Sequence, residues 1–183
     1  MALKATVFKA TLQLADMDRS RYGELAVTLA RHPSETDERM MVRLLAYALA
    51  APADADDGAL TFAKGLWDTD EPELWQKDLT GRVVHWIDIG QPDERRILRA
   101  SGRAEHVSVF SHAASTPIWW SGLASKLTRA RNIAVWQIPN AQAQALATLA
   151  TRGMQLQVSV QDGLVWVGDA ERSVEIEPVR LNP

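Results

Sequence analysis

The chain has 183 residues, a length that predicts one ordinary domain with a single core over residues 1–183. Hydrophobic residues make up 46% of the chain and charged residues 23%, and this average usage argues against a disordered or fibrous protein. The absence of cysteine excludes disulfides, a thiolate nucleophile and thiolate-bound metal sites, so any chemistry uses oxygen or nitrogen ligands. The net charge of −3 argues against a surface that is basic all round but is compatible with a local basic stripe.

The hydropathy pattern of the sequence indicates where in the cell the protein is expected. The first residues alternate between polar and apolar side chains and do not form the apolar core of a signal peptide. No apolar run reaches the roughly 18 residues of a membrane span. We therefore expect a cytoplasmic protein with no membrane contact. The partner class stays open between nucleic acid and another protein, and so does the oligomeric state.

The first third of the chain predicts a β-hairpin and a helix. Apolar side chains recur at every second position in residues 3–16 and in residues 24–30, as expected of half-buried strands. The turn-rich residues between them predict a loop of about eight residues. Ser34 resembles a helix N-cap, and apolar residues then recur at helical spacing until Ala51-Pro52, where proline disfavours helix.

The middle of the chain predicts strands that alternate with helices. Residues 60–67 predict a strand, an acidic loop follows, and residues 83–90 predict a buried central strand because both faces are mostly apolar. Pro92 at the first helical position predicts a helix that stops at Gly102. The remaining predicted elements are a strand at 107–110, a helix at 116–129, a strand at 133–138, a helix at 140–153, a hairpin of 154–160 and 164–167, and a loose tail at 179–183.

This order of elements predicts the fold class. Strands alternating with helices indicate βα units and a partly parallel sheet, while the hairpins at both termini add antiparallel strands. We therefore expect a mixed α/β protein, in which helices flank a mixed sheet.

Two acids are the strongest candidates for chemistry. Asp88 lies near the end of the predicted central strand, and Glu73 follows Pro72 in the acidic loop. Carboxylates that meet at strand ends can bind Mg²⁺, with Mn²⁺ as a substitute, because these hard ions take oxygen ligands and keep waters for a phosphate substrate. The alternative is structural: Glu73 solvates a loop, and Asp88 accepts hydrogen bonds from a helix N-terminus.

Arginines on the helix after Gly90 are candidates for binding a nucleic-acid backbone. Arg95, Arg99 and Arg103 recur at a spacing of four residues, and Arg96 adjoins them. The alternative is a solvated face that complements the helix dipole. The sequence contains no P-loop, no dinucleotide fingerprint, no G-x-S-x-G elbow and no H-E-x-x-H zinc motif.

Three blocks of the sequence resemble the YaeQ family of bacterial proteins. They are RHPSETDERMMVRLLAYAL at 31–49, DEPELWQKDLTG at 70–81 and WIDIGQPDERRILRA at 86–100. The resemblance covers essentially the whole chain. It implies a variant of the PD-(D/E)XK nuclease-like fold, in which acids bind Mg²⁺ and a lysine assists the attacking water.

Carried across residue by residue, the resemblance assigns the two acids to the motif. Pro72-Glu73 matches its first element and Asp88-Ile89-Gly90 its second, so glycine stands where the lysine belongs. The candidates for a relocated cation are Lys64, Lys77, Arg95 and Arg96. An acid from the first core helix often joins such sites, which suggests Glu35 or Glu38, with Arg39 and Gln91 as neighbours.

These observations lead to three hypotheses. The first is a metal-dependent phosphodiesterase acting on DNA or RNA, in which Glu73 and Asp88 bind Mg²⁺. The second is a catalytically inactive nuclease fold that binds nucleic acid or a protein partner in a regulatory role. The third is a purely structural interaction module, which would leave the acids apart.

Overall fold

The computed structural model describes residues 4–183, except for the side chain of Ala55. The described strands are β1 (Thr6–Asp16), β2 (Arg21–Arg31), β3 (Ala59–Phe62), β4 (Leu74–Lys77), β5 (Val83–Ile89), β6 (His106–Ser111), β7 (Ile133–Gln137), β8 (Gly153–Gln161), β9 (Leu164–Gly168), β10 (Ser173–Ile176) and β11 (Val179–Arg180). The helices are α1 (Asp37–Ala50), α2 (Glu94–Ser101), α3 (Thr116–Ser121) and α4 (Asn140–Ala147). The mixed α/β class is confirmed.

The chain divides into two compact units, each with its own sheet. The first unit comprises residues 4–48 and 138–178, and the second comprises residues 49–137 and 179–183. The first contains a five-stranded sheet in the order β10-β9-β8-β1-β2, and the second a six-stranded sheet in the order β11-β7-β6-β5-β4-β3. No helix in the described part of the chain is long and apolar enough to cross a membrane.

The two terminal hairpins join each other in the first unit. The predicted alternation in β1 is confirmed, because Phe8, Leu12 and Leu14 are buried on one face. β1 pairs antiparallel with β2 and parallel with β8, so the hairpins form a separate sheet. The prediction that they extend the parallel sheet was wrong, because pairing with β8 covers the free edge of β1 within the first unit. The predicted eight-residue loop is a short turn, since β2 begins at Arg21.

Helix α1 forms as predicted but is capped by a different residue. Thr36 Oγ1 accepts a hydrogen bond from the Arg39 amide at 3.1 Å, which satisfies a free donor of the first turn. Ser34, the predicted cap, instead places its hydroxyl 2.7 Å from Nδ1 of His32. The helix ends at Ala50.

The second unit contains the predicted βα units. β5, β6 and β7 are parallel and are connected through α2 and α3, while β3, β4 and β11 add antiparallel strands. Ile97 and Ala100 of α2 are buried in a cluster with Trp86, Val107 and Val109 of the sheet. This packing holds α2 against the sheet beside the end of β5.

Three predicted boundaries and the prediction of a loose tail were wrong. The strand predicted for 60–67 ends at Phe62, because Gly65 has a φ of +50° and begins a 3₁₀ turn. The helix predicted to reach Arg129 ends at Ser121, and the helix predicted to reach Gly153 ends at Ala147. The tail predicted to be loose is ordered: Val179–Arg180 pairs with β7 as strand β11.

Candidate functional site

The second unit brings the two predicted acids together at one end of β4 and β5. Leu74 pairs with Ile87, and the Glu73 amide donates to the Ile87 carbonyl at 3.0 Å, so Glu73 and Asp88 occupy adjacent positions on neighbouring strands. Both residues are buried, with 5% of Glu73 and 2% of Asp88 exposed. Carboxylates this far from water need a positive or hydrogen-bonding partner. We call Glu73 and Asp88 the acid pair.

Arg96 supplies that positive charge. Its Nε and Nη2 donate to the two oxygens of Asp88, both at 2.8 Å, in a bidentate ion pair. Burial lowers the pKa of Arg96, but the carboxylates of Asp88 and Glu73 raise it, and the net pKa lies above its ordinary value. The guanidinium therefore stays charged against both members of the acid pair.

Local sequence explains why Arg96 reaches this place. Asp93 is the N-cap of α2, and its carboxylate accepts a hydrogen bond from the Arg96 amide at 2.8 Å. The sequence had predicted Pro92 as the first helical residue. That prediction was wrong, because Pro92 precedes the N-cap Asp93. Since Ile97 faces the core, the first turn of α2 directs Arg96 toward the end of β5.

The acid pair offers the two carboxylates that a hard divalent cation which keeps most of its waters takes from a protein. Mg²⁺ is usually bound in proteins through one or two carboxylates, together with water and substrate phosphates. Each Asp88 oxygen that accepts from Arg96 retains a second lone pair for another partner. Among residues 4–183 no group of three or more histidine or acidic side chains could hold a metal ion. The described residues therefore do not form a closed cage of protein ligands, and Mg²⁺ or Mn²⁺ would be held here by two carboxylates together with water.

Of the four candidates for the relocated cation, Arg96 is the one that contacts the acid pair in the described structure. Lys64 is mostly exposed and lies 3.8 Å from Asp68 and 3.9 Å from Glu71. Lys77 places its Nζ 3.7 Å from the centre of the Trp75 ring. Arg95 is exposed on the surface of α2.

The remaining candidates have other partners. Gln91 donates from Nε2 to Ser115 Oγ at 2.9 Å and so connects the turn after β5 to the start of α3. Glu38 lies in the first unit, where it accepts from Asn140 Nδ2 at 3.3 Å. Glu35 is buried in the same unit, where Arg43 holds it at 2.9 Å. These contacts do not connect any of them to the acid pair.

Two arginines of α2 and one just after its C-terminal end bind a loop of the protein itself. We call residues 68–71 the strap, and Arg96, Arg99 and Arg103 the arginine face. Arg96 donates to the Glu71 carbonyl at 3.0 Å and also to the Thr69 carbonyl. Arg99 Nη1 lies 3.1 Å from the Asp70 carboxylate, and Arg103 donates to the Asp70 carbonyl at 3.3 Å.

The strap was not predicted from the sequence, and the spacing of four residues had grouped Arg95, with Arg96 only as a neighbour. Arg96, and not Arg95, shares the face of Arg99 and Arg103 that meets the strap. One signal was present in the sequence: acids at 68, 70 and 71 precede a helix rich in arginine, and opposite charges tend to pair.

A family model described as YaeQ protein matches residues 1–178. The chain belongs to the YaeQ family. It is 44% identical over 178 residues to the "Uncharacterized protein YaeQ" of Salmonella typhi, covering 97% of this chain and 96% of the relative. It is 42% identical over 177 residues to that of Escherichia coli K12, covering 96% and 95%. The resemblance stated from sequence is therefore confirmed at the level of the family.

Crystal structures of YaeQ proteins share this fold. The YaeQ protein from Xanthomonas axonopodis pv. citri has a TM-score of 0.91 at 44% identity, with 97% of this chain and 98% of that chain covered. The one from Pseudomonas syringae has a TM-score of 0.90 at 36% identity, with 98% and 97% covered. Two mixed sheets and four helices are thus the architecture of this YaeQ chain.

A half-buried histidine is expected to make the stability of this YaeQ-family protein depend on pH. Burial, and secondly the charge of His106, lowers the pKa of His85 from 6.5 to about 4, and its Nε2 lies 2.8 Å from Ser108 Oγ. The unfolded chain therefore binds the proton more tightly, so the free energy of unfolding should fall as pH drops from about 6.5 to 4. The full loss is roughly 3 kcal/mol.

Urea unfolding at pH 4, 5, 6 and 7 checks this expectation. We expect His85→Gln to flatten the profile between pH 4 and 6.5, and His106→Gln to make it shallower by removing the neighbouring charge. A profile equally steep in wild type and His85→Gln would assign the acid sensitivity to other groups.

Proposed function

We propose that this protein is a metal-dependent phosphodiesterase that acts on nucleic acid, as a divergent member of the PD-(D/E)XK nuclease-like superfamily. One observation carries the proposal: Glu73 and Asp88 are buried at adjacent positions on neighbouring strands, and the guanidinium of Arg96 is bound to Asp88. Glycine stands at position 90, where the motif lysine belongs, so Arg96 takes over the positive charge from a different element.

The chain's own residues divide the work between metal binding and charge stabilisation. Glu73 and Asp88 would hold Mg²⁺ or Mn²⁺, which supplies Lewis-acid polarisation of the phosphate and lowers the pKa of a bound water. Arg96 stays protonated, since its pKa is raised, and cannot act as a general base. Its planar donors instead match phosphate oxygens and stabilise the negative charge that develops on them.

The test is Asp88→Asn, assayed with single- and double-stranded DNA and RNA in Mg²⁺, Mn²⁺ or EDTA. We expect cleavage by the wild type to need the metal, and the variant to lose roughly two orders of magnitude or more in rate, because charged metal ligation is lost. Asp56→Asn is the matched control, since Asp56 is an exposed acid in another loop of the same unit. The absence of cleavage in every condition, or full activity of Asp88→Asn, would refute the proposal.

A second function is favoured by one specific observation. Both oxygens of Asp88 accept hydrogen bonds from Arg96, so the acid is already neutralised without a metal. A catalytically inactive nuclease fold that binds nucleic acid or a protein partner in a regulatory role accounts for such an ion pair. It predicts no turnover, no heat in a calorimetric Mg²⁺ titration, and partner binding that Asp88→Asn leaves unchanged.

A further inference from the structure

The strap is held to α2 mainly by charge. Its acid Asp70 and the main-chain oxygens of Thr69, Asp70 and Glu71 face the donors of the arginine face. Just before the strap, Leu66 is 45% exposed and Trp67 is 52% exposed, so about half of each side chain remains in water. Exposed ion pairs are individually weak, so a stronger anion can displace the strap.

We propose that the arginine face is the surface that binds a nucleic-acid backbone, and that the strap occupies it as an internal competitor. All three cations are arginines, whose planar forks bind phosphate oxygens bidentately. The strap presents a carboxylate and carbonyl oxygens to the same donors that phosphates would use. The choice of nucleic acid over another polyanion rests on the proposed function, whereas competition for the arginine face does not.

The strap also contacts the guanidinium that binds the acid pair, because Arg96 donates both to Asp88 and to the Glu71 carbonyl. Gly65, at its base, lies so close to Glu73 that a Cβ there would collide with the carboxylate. The two acids are 5% and 2% exposed, and in the proposal displacement of the strap frees the Arg96 donors beside them. A backbone that takes over Arg99 and Arg103 displaces the strap and reaches the acid pair in the same movement.

The decisive experiment removes the two halves of one ion pair separately. Asp70→Asn and Arg99→Gln each break the contact between strap and helix, and both should speed amide hydrogen exchange of residues 66–71. Their effects on binding of an oligonucleotide in EDTA should be opposite. We expect Asp70→Asn to raise the affinity roughly two- to fivefold by removing the competitor, and Arg99→Gln to lower it by a similar factor.

Matched controls and the salt dependence complete the test. Asp56→Asn and Arg82→Gln make the same charge changes away from the strap, since Arg82 pairs with Glu105 at 3.0 Å, and should change affinity less than twofold. Arg99→Gln with Arg103→Gln should reduce the slope of log affinity against log salt by about two.

The outcomes separate this inference from the proposed function. Equal or same-direction effects of Asp70→Asn and Arg99→Gln on binding, or no binding by any variant, would overturn the competition between strap and ligand. Polyglutamate that binds as tightly as the oligonucleotide would overturn the choice of nucleic acid. If Asp70→Asn and Arg99→Gln change binding in opposite directions but no variant and no condition gives cleavage, competition by the strap is supported. The same result would refute the proposed phosphodiesterase activity.

Discussion

Arg96→Gln is expected to lower the free energy of unfolding by about 3 kcal/mol, because it leaves the Asp88 carboxylate buried without its counter-charge. The Asp88 side chain is 3% exposed and that of Arg96 is 21% exposed, so water cannot replace the bidentate pair. Glu73 also loses the neighbouring positive charge. Chemical denaturation measures the effect, and a fall in Tm of roughly 6 to 12 °C should accompany it.

A double-mutant cycle tests whether the Asp88–Arg96 pair is responsible. Asp88→Asn combined with Arg96→Gln should be less destabilised than Arg96→Gln alone, since no buried charge at position 88 is left unpaired. Arg82→Gln breaks a largely exposed pair and should cost no more than about 1 kcal/mol. If Arg96→Gln costs no more than Arg82→Gln, the guanidinium does not neutralise the acid pair.

The effect of Mg²⁺ on the Tm of Arg96→Gln is a second test of the acid pair. In Arg96→Gln the acid pair has lost the guanidinium that neutralises Asp88. If the acid pair binds Mg²⁺, the variant should therefore bind Mg²⁺ more tightly than the wild type does. We therefore expect millimolar Mg²⁺ to raise the Tm of Arg96→Gln more than that of the wild type, because a ligand stabilises the state that binds it. Equal shifts in both proteins would argue against metal binding by Glu73 and Asp88.

Gly65→Ala is expected to lower the free energy of unfolding by about 2 to 4 kcal/mol. Residue 65 has a φ of +50°, which strains any residue with a Cβ, and that Cβ would also collide with the Glu73 carboxylate. Because Glu73 is buried, its carboxylate has little room to move aside. Urea denaturation measures the loss, and amide exchange of residues 66–71 should rise as the strap base is displaced.

Two variants separate backbone strain from the collision. Gly81 has a φ of +86° with no atom near the position of a Cβ, so Gly81→Ala should cost only about 1 kcal/mol. In a Glu73→Ala background the collision is absent, and Gly65→Ala should then cost no more than Gly81→Ala. A full cost in that background would show that the strap base does not rest on Glu73.

Local pattern was sufficient for both acids and for the strand and helix around Asp88, but it did not predict strand β4, which begins directly after Glu73. The apolar strand that ends in Asp88 and the capped helix that follows it are encoded within about twenty consecutive residues, so periodicity and capping rules find both. The sequence suggested that Glu73 and Asp88 meet at strand ends, and the resemblance to YaeQ proteins then matched them to two elements of one motif. The resemblance could not decide which of the four candidate cations replaces the motif lysine. Side chains distant in sequence meet only through strand pairing and helix packing.

The sequence alone was enough to predict the mixed α/β class, the hairpins, the central strand and the two acids. Each of these depends on spacing within one short segment. Tertiary structure alone decided that the terminal hairpins form their own sheet, that Arg96 binds Asp88, and that the strap covers the arginine face. These features depend on which segments pair over long separations. A one-residue shift of a strand or of a helical face changes which charges meet, and local sequence rules do not encode that register.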